Sequence, residues 1–271
     1  MTDTGVVIIG WWPLALASLF IVVTGALTFA MRLGVAKDLA ISTVRMYVQL
    51  LALGFVLRWV FANDMPLVVL GILGVMLVAA TRIVLKRSPD APAGLFGSTL
   101  LSMAVTSIAI TFAVTGLIVR VEPWWRAQYV IPIGGMIIGN SMSGIALVLE
   151  RVFADLDARS SEVLSLLALG ATPWEAARAS VRTALRAGLI PGINTLAAVG
   201  IVFIPGMMAG QVLAGTDPLV AAPYQIVVML MIATADVLGS MCAVLLSFRR
   251  RFTADGVYMD RARRADEGQR A

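Results

Sequence analysis

The sequence predicts an all-α integral membrane protein of about seven transmembrane helices, and three observations predict it. Of the 271 residues, 59% are hydrophobic and only 14% charged, and the mean hydropathy is +0.91, far more apolar than a soluble domain. The apolar residues fall into long runs near the roughly 20 residues a helix needs to cross a hydrocarbon core of about 30 Å. Lys and Arg gather in alternate connections between those runs.

In chain order, residues 4–31 carry no charge and form the first run. Asp3 precedes it with no basic residue, which favours a retained span over a cleaved signal peptide. The second run is 39–62, whose Arg45 and Arg58 are close enough to its ends for their stems to snorkel outward. A short third run covers 65–81, and a fourth, 91–119, begins within the turn-forming Ser88-Pro89-Asp90-Ala91-Pro92. The fifth is 127–149, the sixth 187–215 and the seventh 222–248, interrupted only by Asp236.

Orientation follows from the basic residues. Eighteen of the 21 fall in the connections after spans one, three and five and in the tail, leaving Arg58, Arg120 and Arg126 on the other side. That asymmetry places the N-terminus outside and the C-terminus in the cytosol. Trp11, Trp12, Trp59, Trp124, Trp125 and Tyr129 then form an outer aromatic belt. The whole chain, 1–271, reads as one transmembrane domain with a long cytosolic loop at 150–186 and a basic tail at 249–271. The net charge of +5 is the topology signal itself and calls for no nucleic acid. The tail is expected to be solvated beside anionic lipid headgroups.

There is no His, and the single Cys, Cys242, lies in an apolar run. Disulfides, His-ligated metals and His-based acid–base catalysis are thereby excluded, and with them most hydrolase chemistry. A retinal Schiff base needs a Lys within a span, and neither Lys37 nor Lys86 qualifies.

The loop at 150–186 predicts a helix, a sharp turn and a second helix. Gly170 is placed to end the first, and Thr172 caps the second with Pro173 at its first position. Arg178, Arg182 and Arg186 share one face of that second helix. Such a pair either lies on the membrane surface or docks into a partner's groove.

Span six is where a pathway is expected. Pro205 removes the donor for the carbonyl of Ile201, and Gly206 and Gly210 weaken the helix beyond it. Met207, Met208 and Gln211 lie beside them and offer soft and hard ligand atoms, so they either touch a metal species or fill space around a Gly206-x-x-x-Gly210 packing face. Span five has similar devices in Pro132, Gly135-x-x-x-Gly139 and Asn140, the last suited to an interhelical hydrogen bond. Asp236 is costly in hydrocarbon, which makes it a cation site, a proton acceptor or the buried counter-ion of Arg45.

These residues carry a resemblance. Leu169-Gly-Ala-Thr-Pro-Trp-Glu-Ala-Ala, followed by Ile190-Pro191-Gly192, resembles the cytosolic coupling loop of bacterial ABC-importer permeases, although Glu162 stands two residues too far from Gly170 for the strict spacing. More specifically, Met136-Ile-Ile-Gly-Asn-Ser-Met142, Pro191-Gly-Ile-Asn194, Pro205-Gly-Met-Met-Ala-Gly-Gln211 and Leu213-Ala-Gly-Thr-Asp-Pro218 look like the FetB (YbbM) type ABC-transporter permeases. The likeness covers residues 4–259 and departs at Ala209, where the pattern has Thr.

The resemblance implies a non-enzymatic permease subunit, a homodimer in the plasma (inner) membrane, working with a separate ABC ATP-binding subunit. In the bacterial family the cargo is iron, exported under metal stress; plant relatives are associated with aluminium tolerance. It makes Glu162, Gly170, Ala171, Thr172, Pro173, Trp174 and Glu175 the ATPase-coupling residues. Asn140, Asn194, Met207, Met208, Gln211 and Asp236 become the candidate substrate pathway, and Pro191, Pro205, Gly206 and Gly210 its hinges. No GxxxxGK[ST] run exists in the chain, so no cofactor is expected on it and ATP is left to the partner. The alternative is an ion- or proton-coupled secondary transporter working through Asp236.

Overall fold

The computed structural model describes residues 10–88, 91–92, 94–253 and 255–259. Nine α-helices make up most of them, and among the described residues there is no β-strand. The start of the first expected span, Pro89-Asp90 of the expected turn and the tail beyond 259 lie outside the described residues.

Helices α1 (Trp11–Ala30) and α2 (Ala36–Asn63) form a hairpin at one side, joined by the Ser18 and Tyr47 hydroxyls at 2.7 Å. Their outward faces are almost wholly apolar and exposed, as a lipid-facing pair requires. Helix α3 (Pro66–Lys86) begins with Pro at its first position, where a missing N–H costs nothing. Apart from Met103, helix α4 (Phe96–Ala113) buries hydroxyls, at Thr99, Ser102, Thr106, Ser107 and Thr111. Ser102 and Thr106 donate back to the carbonyls of Thr99 and Ser102, so small satisfied groups let α4 approach its neighbours closely. A π-helical turn, Val114–Ile118, continues it.

Helix α5 (Ala127–Ala158) is the axis of the molecule, with α3, α4, α7 and α9 packed around it. Asp64, in the turn after α2, accepts the Ala127 N–H at 2.8 Å and so caps α5 from outside its own chain segment. At 32 residues, α5 is roughly 48 Å long, well beyond a bilayer core. The fifth span therefore does not stop at Leu149, because no breaker follows it. Its last turns become the first part of the loop. Helix α6 (Ser160–Ala168) then folds back.

The sixth span differs most from expectation. It is not a single helix over 187–215. Helix α7 (Pro173–Ala198) runs unbroken from the loop through Pro191, so the second loop helix and the inner part of the span are one rod. The chain then opens at 199–205, where Gly200 takes φ +81°, and re-forms as the short α8 (Gly206–Leu213). Helix α9 (Pro218–Ser247) follows, its first turn capped by Asp217 accepting from the Leu219 N–H at 2.8 Å. Gly192 of α7 meets Asp236, whereas Met208 of α8 donates its N–H to Gln225 at 3.3 Å. Those α9 positions are 11 residues, or about 16 Å, apart, so α7 and α8 occupy successive depths beside α9. Among the described residues six helices are long and apolar enough to cross a membrane, and the broken α7–α8 stretch stands at the sixth of the seven expected spans.

The first part of the tail is only partly solvated, with Arg249 and Arg250 exposed but Arg251, Phe252 and Tyr258 buried. A 3₁₀ turn, Phe248–Arg251, leads into a segment that folds onto the ends of α5 and α7. Arg251 is 0% exposed, donates to Asp157 at 2.8 Å and lies 5.2 Å from the Phe153 ring centroid. The Tyr258 hydroxyl donates to the same carboxylate at 2.9 Å. Aromatic packing explains the folding back, since Trp174, Phe248, Phe252 and Tyr258 stack edge to face in sequence.

Candidate functional site

Asp236 sits in a crevice made by three glycines. A Cβ at Gly144 of α5 would overlap the Asp236 carboxylate, one at Gly188 of α7 would overlap the Val148 side chain, and one at Gly192 would come within 3.1 Å of Asp236 Oδ2. Without those side chains α5, α7 and α9 close around the carboxylate. The crevice opens into a cavity of about 240 Å³ lined by Asn140, Ser143, Pro191, Thr195 and Asp236 among others. Asp236 Oδ1 is buried with no hydrogen-bond partner, and among the described residues Asp236 forms no ion pair. Arg45 is not its counter-ion: it lies on a face of α2 with Ala40, Ile41, Val44, Val48 and Gln49, and α2 is not a wall of this cavity.

The depth of this site can be read from its neighbours. Ser88, just past the end of α3, donates to the carbonyl of Ala146, two residues along α5 from Gly144. Asp236 therefore lies at the level where α3 ends, and the last turns of α5 and α9 project beyond it.

The polar groups around the carboxylate include oxygen acceptors. Asn140 uses one amide N–H on the Met136 carbonyl at 2.8 Å, leaving its own carbonyl oxygen and a second N–H. Thr195 donates its proton to the Pro191 carbonyl at 2.9 Å, leaving its lone pairs. Pro191 lies inside α7 and supplies no N–H, so the Ala187 carbonyl loses its helical donor.

Met207 and Gln211 belong to a second cavity, about 260 Å³, bounded by the π-helical turn, α5, α8 and α9 and lined also by Tyr129 and Tyr224. Gln211 Oε1 is buried there without a partner. Met208 and Asn194 line neither cavity. Pro205 is the N-cap of α8 and Gly206 its first residue. Gly206 and Gly210 face open space, so the expected face in span six is not where α8 packs, whereas in span five Gly135, with Gly134, meets Met76 and Leu73 of α3 and only Gly139 is open. Around Asp236 the close approaches are at Gly144, Gly188 and Gly192. Their signal was in the sequence as stripes at helical spacing, Asn140-Ser143-Gly144-Leu147 and Gly188-Pro191-Gly192-Thr195, that bring small and polar residues to one face.

The loop forms as its residues dictate. Helix α6 ends with the Ala171 N–H bonded to the Leu166 carbonyl and the Gly170 N–H to Leu167, with Gly170 at φ +90°. Thr172 and Glu175 form a reciprocal capping box that starts α7. Hydrogen bonds from the Thr172 backbone and side chain hold the Glu175 carboxyl below its ordinary range. Arg159, at 2.6 and 2.9 Å, does the same to Glu162, whose own charge in turn raises Arg159. Glu175 thus shapes the turn, while Glu162 is engaged with Arg159 at the start of α6. What the turn presents outward is Leu169, 85% exposed, beside a half-exposed Trp174. Among the described residues no three His, Cys, Asp or Glu side chains gather into a dry metal site.

Fold and site together define a multi-pass α-helical membrane protein with polar cavities on either side of a broken helix. The chain belongs to the Uncharacterised protein family UPF0014, which it matches over residues 11–252. It is 38% identical over 211 residues to the UPF0014 membrane protein slr1647 of Synechocystis sp., covering 77% of this chain and 80% of that one. It is 33% identical to the Probable iron export permease protein FetB of Escherichia coli, over 89% of this chain and 92% of that protein. With the Protein ALUMINUM SENSITIVE 3 of Arabidopsis thaliana it shares 30% identity over 88% of this chain and 86% of the relative. No solved structure matches it.

Proposed function

We propose that this chain is the permease subunit of an ABC transporter, exporting iron or a related metal species across the plasma (inner) membrane with energy from a separate ATP-binding subunit. The observation that carries the reading is the continuity of α7. One rod of 26 residues, about 39 Å, has the capped turn with Leu169 and Trp174 at one end and the wall of the Asp236 cavity, Gly188 to Thr195, at the other. A push on the turn moves that wall directly. The name of the Escherichia coli relative supports export of iron. The distribution of basic residues supports an outside N-terminus, with the turn and the C-terminus in the cytosol.

Two copies suit this reading. Asn140, Ser143, Asn194 and Thr195 lie exposed on one face of the single chain, next to the opened backbone at 199–205. Neither amides nor unpaired backbone tolerate lipid, so this face needs a protein or water neighbour, and a second copy supplies it. The α1–α2 hairpin, whose outer faces are apolar apart from a few positions such as Arg45 and Gln49, remains for lipid contact.

The test is purification of the tagged chain from its native membrane. An ATP-binding subunit that accompanies it, and whose ATPase rate rises with iron salts, supports the proposal; a partner insensitive to iron retains the permease and removes the cargo. A second reading, ion-coupled transport through Asp236, is favoured by the unpartnered Oδ1. It requires transport by the chain alone in vesicles lacking any ATPase.

A further inference from the structure

We propose that the cavity at Asp236 binds a hard divalent cation that keeps most of its water, held by the Asp236 carboxylate and the oxygens of Asn140, Ser143 and Thr195. The proposal deepens the permease reading by giving the inner cavity its ligand chemistry, and it rests on that cavity being a station of the pathway.

Four observations carry it. The carboxylate has one oxygen buried without a donor, so the charge is uncompensated from within the chain. One Asn140 amide N–H and the Thr195 hydroxyl proton are already committed to Met136 and Pro191, which leaves the Asn140 carbonyl oxygen and the Thr195 lone pairs to the cavity. No Lys or Arg lines it, which disfavours an anionic ligand such as a carboxylate chelate. Finally, 240 Å³ corresponds to about eight waters at roughly 30 Å³ each, room for a cation with a nearly complete first shell. A single carboxylate with neutral oxygens and retained water is the binding style of small hard cations that dehydrate reluctantly. It also holds weakly, as a site that must release its cargo does. The Met207–Gln211 cavity lacks any carboxylate and takes no part in this step.

Mn²⁺ serves as the probe, because its free form is read directly by electron paramagnetic resonance. The full chain, purified in lipid nanodiscs without an ATPase, is expected to bind Mn²⁺ saturably and to release it to Mg²⁺. Asp236→Asn should weaken binding by about tenfold or more, the effect of removing the one charge in the site. The paired change Asn140→Ala with Ser143→Ala, which removes two neutral oxygens from the cavity lining, should weaken it several-fold. Thr24→Ala, on the exposed face of α1 and outside the cavity lining, should leave it unchanged. Mn²⁺ affinity equal to wild type in both the Asp236→Asn and the paired variant overturns the site, as does absence of saturable binding in the wild-type chain. Because no ATPase is present, binding here together with failure to recover an ATP-binding partner from native membranes would retain the cation site and discard the ABC reading alone.

Discussion

Gly144 and Asp236 touch so closely that a single methyl group on the glycine would occupy the position of the carboxylate. The contact joins α5 to α9 at the point where α7, through Gly192, closes the third side. Gly144→Ala therefore has to push the carboxylate out of its crevice. Overpacking of this kind costs about 1–3 kcal/mol, and thermal unfolding of the solubilised protein should show it. Combining it with Asp236→Ala should restore most of the stability, since the two side chains compete for one space, while transport stays lost. Additive destabilisation would mean that the clash is relieved elsewhere.

The clasp at the other end of α5 and α9 gives a second expectation. Arg251 is fully buried on Asp157, so Asp157→Asn leaves a buried guanidinium facing a neutral amide. One-sided loss of a buried pair costs about 3–5 kcal/mol, and the partial exposure of Asp157 places this case at the lower end. Tyr258→Phe removes one hydrogen bond from the same carboxylate and should cost about 1.5 kcal/mol or more, as bonds to charged groups do. Denaturant titration of the solubilised chain measures both, and Asp157→Asn should be the more damaging.

Acid should loosen the loop between α5 and α7. The carboxyls of Glu162 and Glu175 are both held below their ordinary value of 4.5 by hydrogen bonds present only in the folded loop. Groups with depressed folded values contribute stability that is complete above the unfolded value and is lost as pH falls through the folded one. The turn is therefore at full strength at neutral pH and weakens progressively below about pH 4.5. Hydrogen exchange at the Glu175 amide, corrected for intrinsic rate, should show protection falling over that window. Thr172→Ala should show low protection at every pH.

Much of this was legible in the residues because it is local. Gly170, Thr172, Pro173 and Glu175 specify a helix stop and a helix start through contacts no more than five residues apart, and the turn forms accordingly. The spans were legible for the same reason. What distance along the chain concealed was partnership. Asp236 meets Gly144 and Gly192 rather than Arg45, and Arg251 with Tyr258 reaches back to Asp157, because apolar helices in lipid choose neighbours by shape more than by hydropathy. The union of the loop helix with span six was hidden by composition: the polar first half and apolar second half of α7 read as two elements, although no residue between Pro173 and Ala198 breaks the helix.

That union makes the strictest demand on the proposed mechanism. If α7 transmits the push, a break placed between the turn and the cavity must separate docking from transport. Thr183 is exposed and lies between the two, so Thr183→Pro costs no core packing yet removes an N–H and disrupts the helix by about 3 kcal/mol. The ATP-binding subunit should still co-purify with the variant, because the Leu169–Trp174 surface is unchanged. Its ATPase rate should no longer respond to cargo, and cargo flux in reconstituted vesicles should fall by an order of magnitude or more, while Thr183→Ala behaves as wild type. Loss of co-purification would place the docking surface further along α7 than the turn. Normal flux in Thr183→Pro would mean that the push reaches the cavity by another route, of which the clasp from Trp174 through Phe248 to α9 is the one the structure offers.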